Sequence, residues 1–260
     1  MTRTICEIIG LLLWVGASTI ASQLLVGYAM IGVLGVEAFQ EPMWSAIYSA
    51  VAYTVTLLLV VALSPKIFPK RSANKKKKAG ASKDEKSTQK TENREELGLR
   101  GWPTWTDIGL APVGFAVYLL LAAALTAVFT VFPWFDPGEV QDIGFSLTLV
   151  GLDRIVAFIT LVVVAPIAEE IIFRGWLYGK LRTKLSEKVS NAVGMIISIL
   201  LVSVLFGVVH LQWNVGINVF ALSVVLCGLR EITGTIYAGI LLHMLKNGIA
   251  FYLLYVLGVS

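Results

Sequence analysis

Apolar residues run along this chain in long stretches that are separated by short polar segments. Most stretches approach or exceed the roughly 20 residues that an α-helix needs to cross the hydrocarbon core of a membrane. They occupy residues 5–35, 44–64, 108–133, 148–181, 190–211, 215–229 and 234–257. A transmembrane β-barrel needs short segments of alternating polarity instead. The pattern predicts an all-α polytopic membrane protein, a bundle of about seven transmembrane helices with a polar intramembrane cavity.

The first apolar stretch has two interpretations. Small residues at Ala17, Thr19 and Ala21 would suit a cleaved signal peptide. The apolar stretch continues through Leu24–Val36, however, which is well past the short apolar region of such a peptide. A retained first span is therefore favoured.

Charge is unevenly distributed. Only 15% of the residues are charged and 57% are hydrophobic, whereas a soluble domain carries about 25% charged residues. The basic excess lies in the segment between Lys66 and Arg100, which holds twelve Lys or Arg against five Asp or Glu, and the slightly acidic remainder of the chain reduces the net charge to +4. Its Lys75–Lys78 run lies beside the membrane, so it indicates a cytoplasmic loop and argues against a nucleic-acid surface. A solvated loop is favoured over one that binds anionic lipid headgroups.

These features divide the chain into three parts. Residues 1–64 are predicted to be a transmembrane hairpin, residues 65–105 a basic disordered cytoplasmic loop, and residues 106–260 a membrane core. Cys6 and Cys227 each lie in an apolar stretch without a CxxC spacing, so both are interpreted as buried hydrophobic residues. No internal repeat is evident.

Polar residues inside the predicted core spans cluster at three places. A charged group at the bilayer centre costs about 2.5–3.5 kcal/mol on insertion scales, so such residues are functional candidates by default. The three places are Ala165–Gly175, Phe206–His210 and His243–Asn247.

Helix geometry predicts that these polar groups converge. Glu170 and Arg174 are four residues apart, so they share a helix face and can pair. Glu169 lies about 100° further round. The other two motifs also pair residues four apart, and apolar faces go to lipid or to packing. One buried cluster is therefore expected, comprising Glu169, Glu170, Arg174, His210, His243 and Asn247.

This set of groups is sufficient for peptide hydrolysis. A carboxylate and an imidazole can bind and deprotonate a water molecule, and a second imidazole with an amide N–H can hold the developing oxyanion. No Ser–His or Cys–His spacing suggests a nucleophile, and HExxH is absent. The alternatives are buried pairs of purely structural role, a non-catalytic membrane partner or regulator of a sensor or secretion protein, and a transporter with a Glu/His proton relay. A transporter should show matched broken helices in two halves, and none is evident.

The three motifs match a known family in their order. EExxxRG at Glu169–Gly175, FxxxH at Phe206–His210 and HxxxN at His243–Asn247 resemble the CPBP family of CAAX proteases and bacteriocin-processing enzymes, also called the Abi family. Pro166, Phe173 and Leu177 also resemble that family. The resemblance covers about residues 145–257, so the first two spans and the basic loop lie outside it.

The resemblance implies an intramembrane endopeptidase and assigns a role to each motif. By resemblance, Glu169 and His210 activate the attacking water. Glu170 and Arg174 support that site, with Glu170 as a candidate for a direct contribution.

By the same resemblance, His243 and Asn247 form the oxyanion hole. The family includes glutamate-type proteases and members described as metalloproteases. Two His and two carboxylates could hold zinc, but no cofactor or metal is favoured, because Asn247 suits an oxyanion role better than a ligand role.

The expected partners are a peptide or protein substrate, including a prenylated CAAX peptide, together with membrane lipid and no nucleic acid. The expected location is the plasma membrane if the source is prokaryotic.

Overall fold

The structure is a computed structural model that describes residues 2–67, 94–138 and 149–258. Within these ranges, seven helices are long and apolar enough to cross a membrane, and no strand occurs. The predicted all-α polytopic class is confirmed, and the chain is an integral multi-pass membrane protein. The plasma membrane stays a prediction. The helices are α1 Thr2–Leu34, α2 Pro42–Ile67, α3 Trp105–Phe129, α4 Gly151–Ser186, α5 Asn191–Val208, α6 Trp213–Thr233 and α7 Tyr237–Tyr255.

Local hydrogen bonds fix the ends of several helices. Thr104 and Asp107 form a reciprocal capping box at the start of α3, which satisfies backbone N–H groups that the helix leaves without a partner. The Ser190 hydroxyl caps α5. Gly234 ends α6 with a φ of 69°, a left-handed conformation that glycine adopts without a steric penalty. The Asp107 carboxylate also accepts from the Thr235 hydroxyl at 3.0 Å, so it joins the start of α3 to the segment before α7.

Helix α4 lies in the interior of the bundle. One buried apolar cluster joins it to α1, α2, α5 and α6, and another joins it to α2 and α7. Half of the most apolar stretch of α4 is buried, against 22% for α1. The outer helices instead expose large apolar side chains, among them Leu13, Leu24 and Leu120. Such faces suit contact with lipid, so the polar motifs of α4 are placed in the part of the bundle that is best shielded from it.

The predicted N-terminal hairpin packs directly against this central helix. The Thr160 hydroxyl of α4 donates to the Ala46 carbonyl of α2 at 3.3 Å, and Nε1 of Trp176 donates to the Ser64 hydroxyl at 2.8 Å. Residue numbers rise together along both helices, so α2 and α4 run parallel. The hairpin therefore belongs to the same packed bundle as the predicted catalytic core.

The end of the predicted disordered loop is packed. Residues 68–93 lie outside the described residues, but Leu97 packs on the buried apolar cluster around α4. The Gly98 carbonyl accepts from the Ile236 N–H at 3.1 Å. A Cβ on Gly175 would lie 2.8 Å from the Leu97 carbonyl oxygen, so the chain passes close to α4. The C-terminal end of the predicted loop thus packs against the bundle at Leu97 and Gly98, whereas the division of the chain into three parts stays a prediction.

A labelling experiment tests the predicted orientation. Ser82 and Lys75–Lys78 lie outside the described residues, but the positive-inside rule places residues 65–105 in the cytoplasm. A cysteine at Ser82 should react with an impermeant thiol reagent in inverted vesicles and not in intact cells. A cysteine at the exposed Gly138, predicted to lie on the outer side, should behave in the opposite way. The unaltered chain is the blank, and labelling of Ser82→Cys in intact cells would reverse the orientation.

Candidate active site

The backbone of α4 departs from a regular α-helix on both sides of its acidic pair. Ile159–Val164 and Glu170–Tyr178 are π-helical, and Ala165–Glu169 between them is α-helical. Pro166 has no N–H to donate into the preceding turn, which removes one regular helix hydrogen bond. Insertions of π-helix are frequent at functional sites, because a wider turn changes the direction of the side chains that follow. The acidic pair lies where the α-helical part meets the second π segment, since Glu169 ends the former and Glu170 begins the latter.

Glu170, Arg174 and His243 form the buried centre of the site. Nη1 of Arg174 donates to Oε1 of Glu170 at 3.0 Å, and both side chains are 0% exposed. Nδ1 of His243 lies 3.1 Å from the same oxygen. A carboxylate can only accept hydrogen bonds, so Nδ1 of His243 carries a proton. The guanidinium also lies over the Phe206 ring, with Cζ 4.2 Å from the centroid, so the buried cation is held by an anion and by an aromatic face.

Glu169 lies at the edge of this centre. Its Oε2 is 3.7 Å from Nε2 of His243, and its Oε1 accepts from the phenol of Tyr53 on α2 at 2.7 Å. The two ring nitrogens of His243 therefore face two different carboxylates. Glu169 is 9% exposed whereas Glu170 is 0% exposed, so Glu169 is the carboxylate that is more open to a ligand or to water.

His210 follows the C-terminal end of α5. Its Nδ1 lies 2.7 Å from the Phe206 carbonyl oxygen, and because a carbonyl only accepts, Nδ1 carries the proton. The neutral ring then keeps a lone pair on Nε2, as a general base requires. The Phe206 ring lies 5.1 Å from the His210 ring and 6.0 Å from the His243 ring, between centroids. His210 is partly exposed and interacts electrostatically with Glu169.

Asn247 lies one turn beyond His243 on α7. Its Nδ2 donates to the Leu161 carbonyl oxygen at 2.9 Å, within the first π segment of α4. This bond uses one of the two amide N–H groups, and the second remains for another acceptor. Asn247 thus connects α7 to α4 through one of its amide N–H groups.

The structure brings the six predicted residues to the region where α4, α5 and α7 meet. Four of them are linked by direct polar contacts or short charge pairs, and His210 and Asn247 flank that group. Their catalytic roles stay predictions.

Two residues near this group, Lys246 and Tyr53, were not predicted from the sequence. Lys246 interacts electrostatically with Glu169 and His210, and a charge inside a span was a signal for it. Tyr53 gave no comparable signal, because its partner is 116 positions away in the sequence and a tyrosine in an apolar stretch is ordinary.

The arrangement does not suit a metal ion. Among the described residues, no group of three His, Cys, Asp or Glu side chains could hold one. The Oε1 atom of Glu170 is already occupied by Arg174 and His243. The absence of a tightly bound metal stays a prediction.

The fold and the site define a class, a polytopic helical membrane protein with a buried Glu–Arg–His centre at the meeting point of its helices. Residues 151–249 match the model of a family described as type II CAAX prenyl endopeptidase Rce1-like. The match covers less than half of the chain, and it confirms the resemblance found in the three motifs. No curated protein and no solved structure matches the chain significantly.

A glycine on α7 provides a steric test of the site. A Cβ on Gly239 would lie 3.0 Å from Oε2 of Glu170, and that carboxylate is held in place by Arg174 and His243. We expect the overpacking in Gly239→Ala to lower the free energy of unfolding by about 1–3 kcal/mol. The higher helix propensity of alanine offsets about 1 kcal/mol of this loss. Thermal unfolding in detergent measures the difference.

Gly248 on the same helix is the matched control. A Cβ there would lie 3.6 Å from Val162 Cγ1, which is an ordinary contact. Gly248→Ala should therefore be neutral or stabilising. Equal stability of the Gly239→Ala and Gly248→Ala proteins would show that Glu170 is not held in the position described.

Proposed function

We propose that this chain is an intramembrane endopeptidase, which hydrolyses a peptide bond with a water molecule activated by Glu169 and His210. The observation that carries the proposal is the buried contact of His243 with Glu169 and Glu170, within a segment that matches an endopeptidase family. Four polar residues gathered inside membrane-spanning helices are costly to keep there, which favours a chemical role over simple packing.

In the proposed reaction, the attacking water lies between Glu169 and His210. Nδ1 of His210 donates to a backbone carbonyl, so its Nε2 is the acceptor that can take the proton from the water. Glu169 orients the same water by accepting from its other O–H group, and it takes that second proton when the carboxylic acid product ionises. The water oxygen attacks the carbonyl carbon of the peptide, and the carbonyl oxygen becomes an oxyanion. Collapse of the intermediate breaks the C–N bond, and the proton passes to the leaving amine.

His243 and Asn247 are proposed to stabilise the oxyanion. The second amide N–H of Asn247 is left over from its bond to Leu161. Nδ1 of His243 already donates to Glu170, so this ring can donate to an oxyanion only through a protonated Nε2. The oxyanion role thus requires the doubly protonated ring, whose charge the two neighbouring carboxylates would balance.

Glu170 and Arg174 are proposed to support the reacting groups. The carboxylate of Glu170 fixes the orientation of His243, much as a buried carboxylate orients the imidazole of a catalytic triad. Arg174 neutralises that carboxylate in the interior. Neither side chain is exposed, so both act through His243.

The proposed substrate is a peptide or protein with a prenylated CAAX C-terminus, which is the substrate class named in the family description. Each CH₂ group of a prenyl chain that is buried in lipid contributes about 0.8 kcal/mol to membrane binding. This binding would bring the peptide bond to an active site inside the membrane.

Mass spectrometry of peptide products tests the proposal. The purified chain in liposomes is incubated with a CAAX peptide, with and without its prenyl group. We expect the wild type to shorten the prenylated peptide and Glu169→Ala to leave it intact. Equal cleavage of both peptides would keep the peptidase and reject the prenyl requirement. Binding without cleavage would favour the alternative of a non-catalytic membrane partner.

A further inference from the structure

A tyrosine from outside the family-matched segment contacts the proposed catalytic carboxylate. The Tyr53 phenol on α2 donates to Oε1 of Glu169 at 2.7 Å, whereas the matched segment begins at residue 151. Oε2 of Glu169 is directed to His243. The two oxygens of Glu169 therefore have different partners, one from the N-terminal hairpin and one from α7.

We propose that Tyr53 is a positioning residue of the active site, which holds Oε1 of Glu169 so that Oε2 stays available to His243 and to the attacking water. Its effect on rate rests on the proposed peptidase function, but the contact itself does not. A glutamate side chain has several rotatable bonds, so an unrestrained carboxylate would sample orientations that do not face the water. A hydrogen bond to an ionised acceptor is among the stronger ones, and more so where water is scarce.

A competing explanation is that this bond only docks α2 onto α4. The chain offers a matched control for docking, because Ser64 accepts from Nε1 of Trp176 at 2.8 Å further along the same pair of helices. Ser64→Ala removes a hydrogen bond between α2 and α4 without touching Glu169. A docking role would make Tyr53→Phe and Ser64→Ala behave alike.

Infrared spectroscopy tests the contact without any need for a substrate. The carboxyl stretching band of Glu169 is assigned by its loss in Glu169→Gln. We expect this band to shift in Tyr53→Phe, which removes only the phenol hydroxyl, and to stay unchanged in Ser64→Ala. An unchanged band in Tyr53→Phe, or an equal shift in both variants, overturns the proposal.

Kinetics then test the consequence. Tyr53→Phe should lower kcat about tenfold or more, as the loss of one hydrogen bond to a charged group predicts, with KM changed by less than about twofold. Ser64→Ala should keep the wild-type kcat. A wild-type kcat in Tyr53→Phe overturns the positioning role. If the wild type cleaves no peptide, the proposed function fails, and the infrared comparison alone decides whether Tyr53 positions Glu169.

Discussion

Alanine at Glu169 and alanine at His210 should each lower the single-turnover cleavage rate by about 10²–10⁴-fold, the usual contribution of a general base. The double variant should be little slower than either single variant, because residues that activate one water molecule act as a unit and their losses do not add. Both groups are suited to this role, because His210 keeps its lone pair on Nε2 and Glu169 is more exposed than Glu170. The single-turnover cleavage rate of a bound peptide in liposomes is measured for the wild type, the two single variants and the double variant.

The control for this prediction is Glu41→Gln, which removes an exposed carboxylate in the turn before α2 and should leave the rate unchanged. Thermal unfolding of every variant separates lost catalysis from lost folding. If the losses from Glu169→Ala and His210→Ala multiply in the double variant, the two residues act in separate steps, and the shared water is wrong.

Alanine at Arg174 should destabilise the protein by about 3–5 kcal/mol, because it leaves the buried charge of Glu170 without its partner. Arg174 is 0% exposed and also fills the space over the Phe206 ring. Folding yield and thermal stability in detergent should therefore fall together with activity.

Two further variants separate charge from shape at this position. Arg174→Lys keeps the charge but loses the planar group that lies over Phe206, so it should be intermediate in stability. Glu170→Gln combined with Arg174→Met removes both charges, and should recover most of the stability lost in Arg174→Ala. A stable and fully active Arg174→Ala protein would contradict the description of this pair as mutually neutralising.

The membrane-spanning helices, and the pairing of side chains within one helix, could be predicted from the sequence alone. Long apolar stretches have one main structural solution in a membrane, and charges within them are too costly to be accidental. The spacing of Glu170 and Arg174 fixed their pairing, because residues four apart share a face even in the π-helical segment where they lie.

Contacts between helices could not be predicted in the same way. They depend on how far each helix is rotated and at what depth it crosses, and neither follows from periodicity. The bond from Tyr53 to Glu169 and the contact of His243 with both carboxylates are of this kind. The packed segment around Gly98 was hidden for another reason, because its polar composition resembles that of the basic loop before it.

The role of Glu169 in activating water is tested most directly by the single-turnover cleavage of a bound prenylated CAAX peptide by the wild type and by Glu169→Gln, with products identified by mass spectrometry. Glutamine keeps the size of the side chain and can still accept from Tyr53, but it cannot take a proton from water. We expect a shortened peptide from the wild type and a rate at least about 10²-fold lower from Glu169→Gln. Cleavage by Glu169→Gln at the wild-type rate would contradict this role.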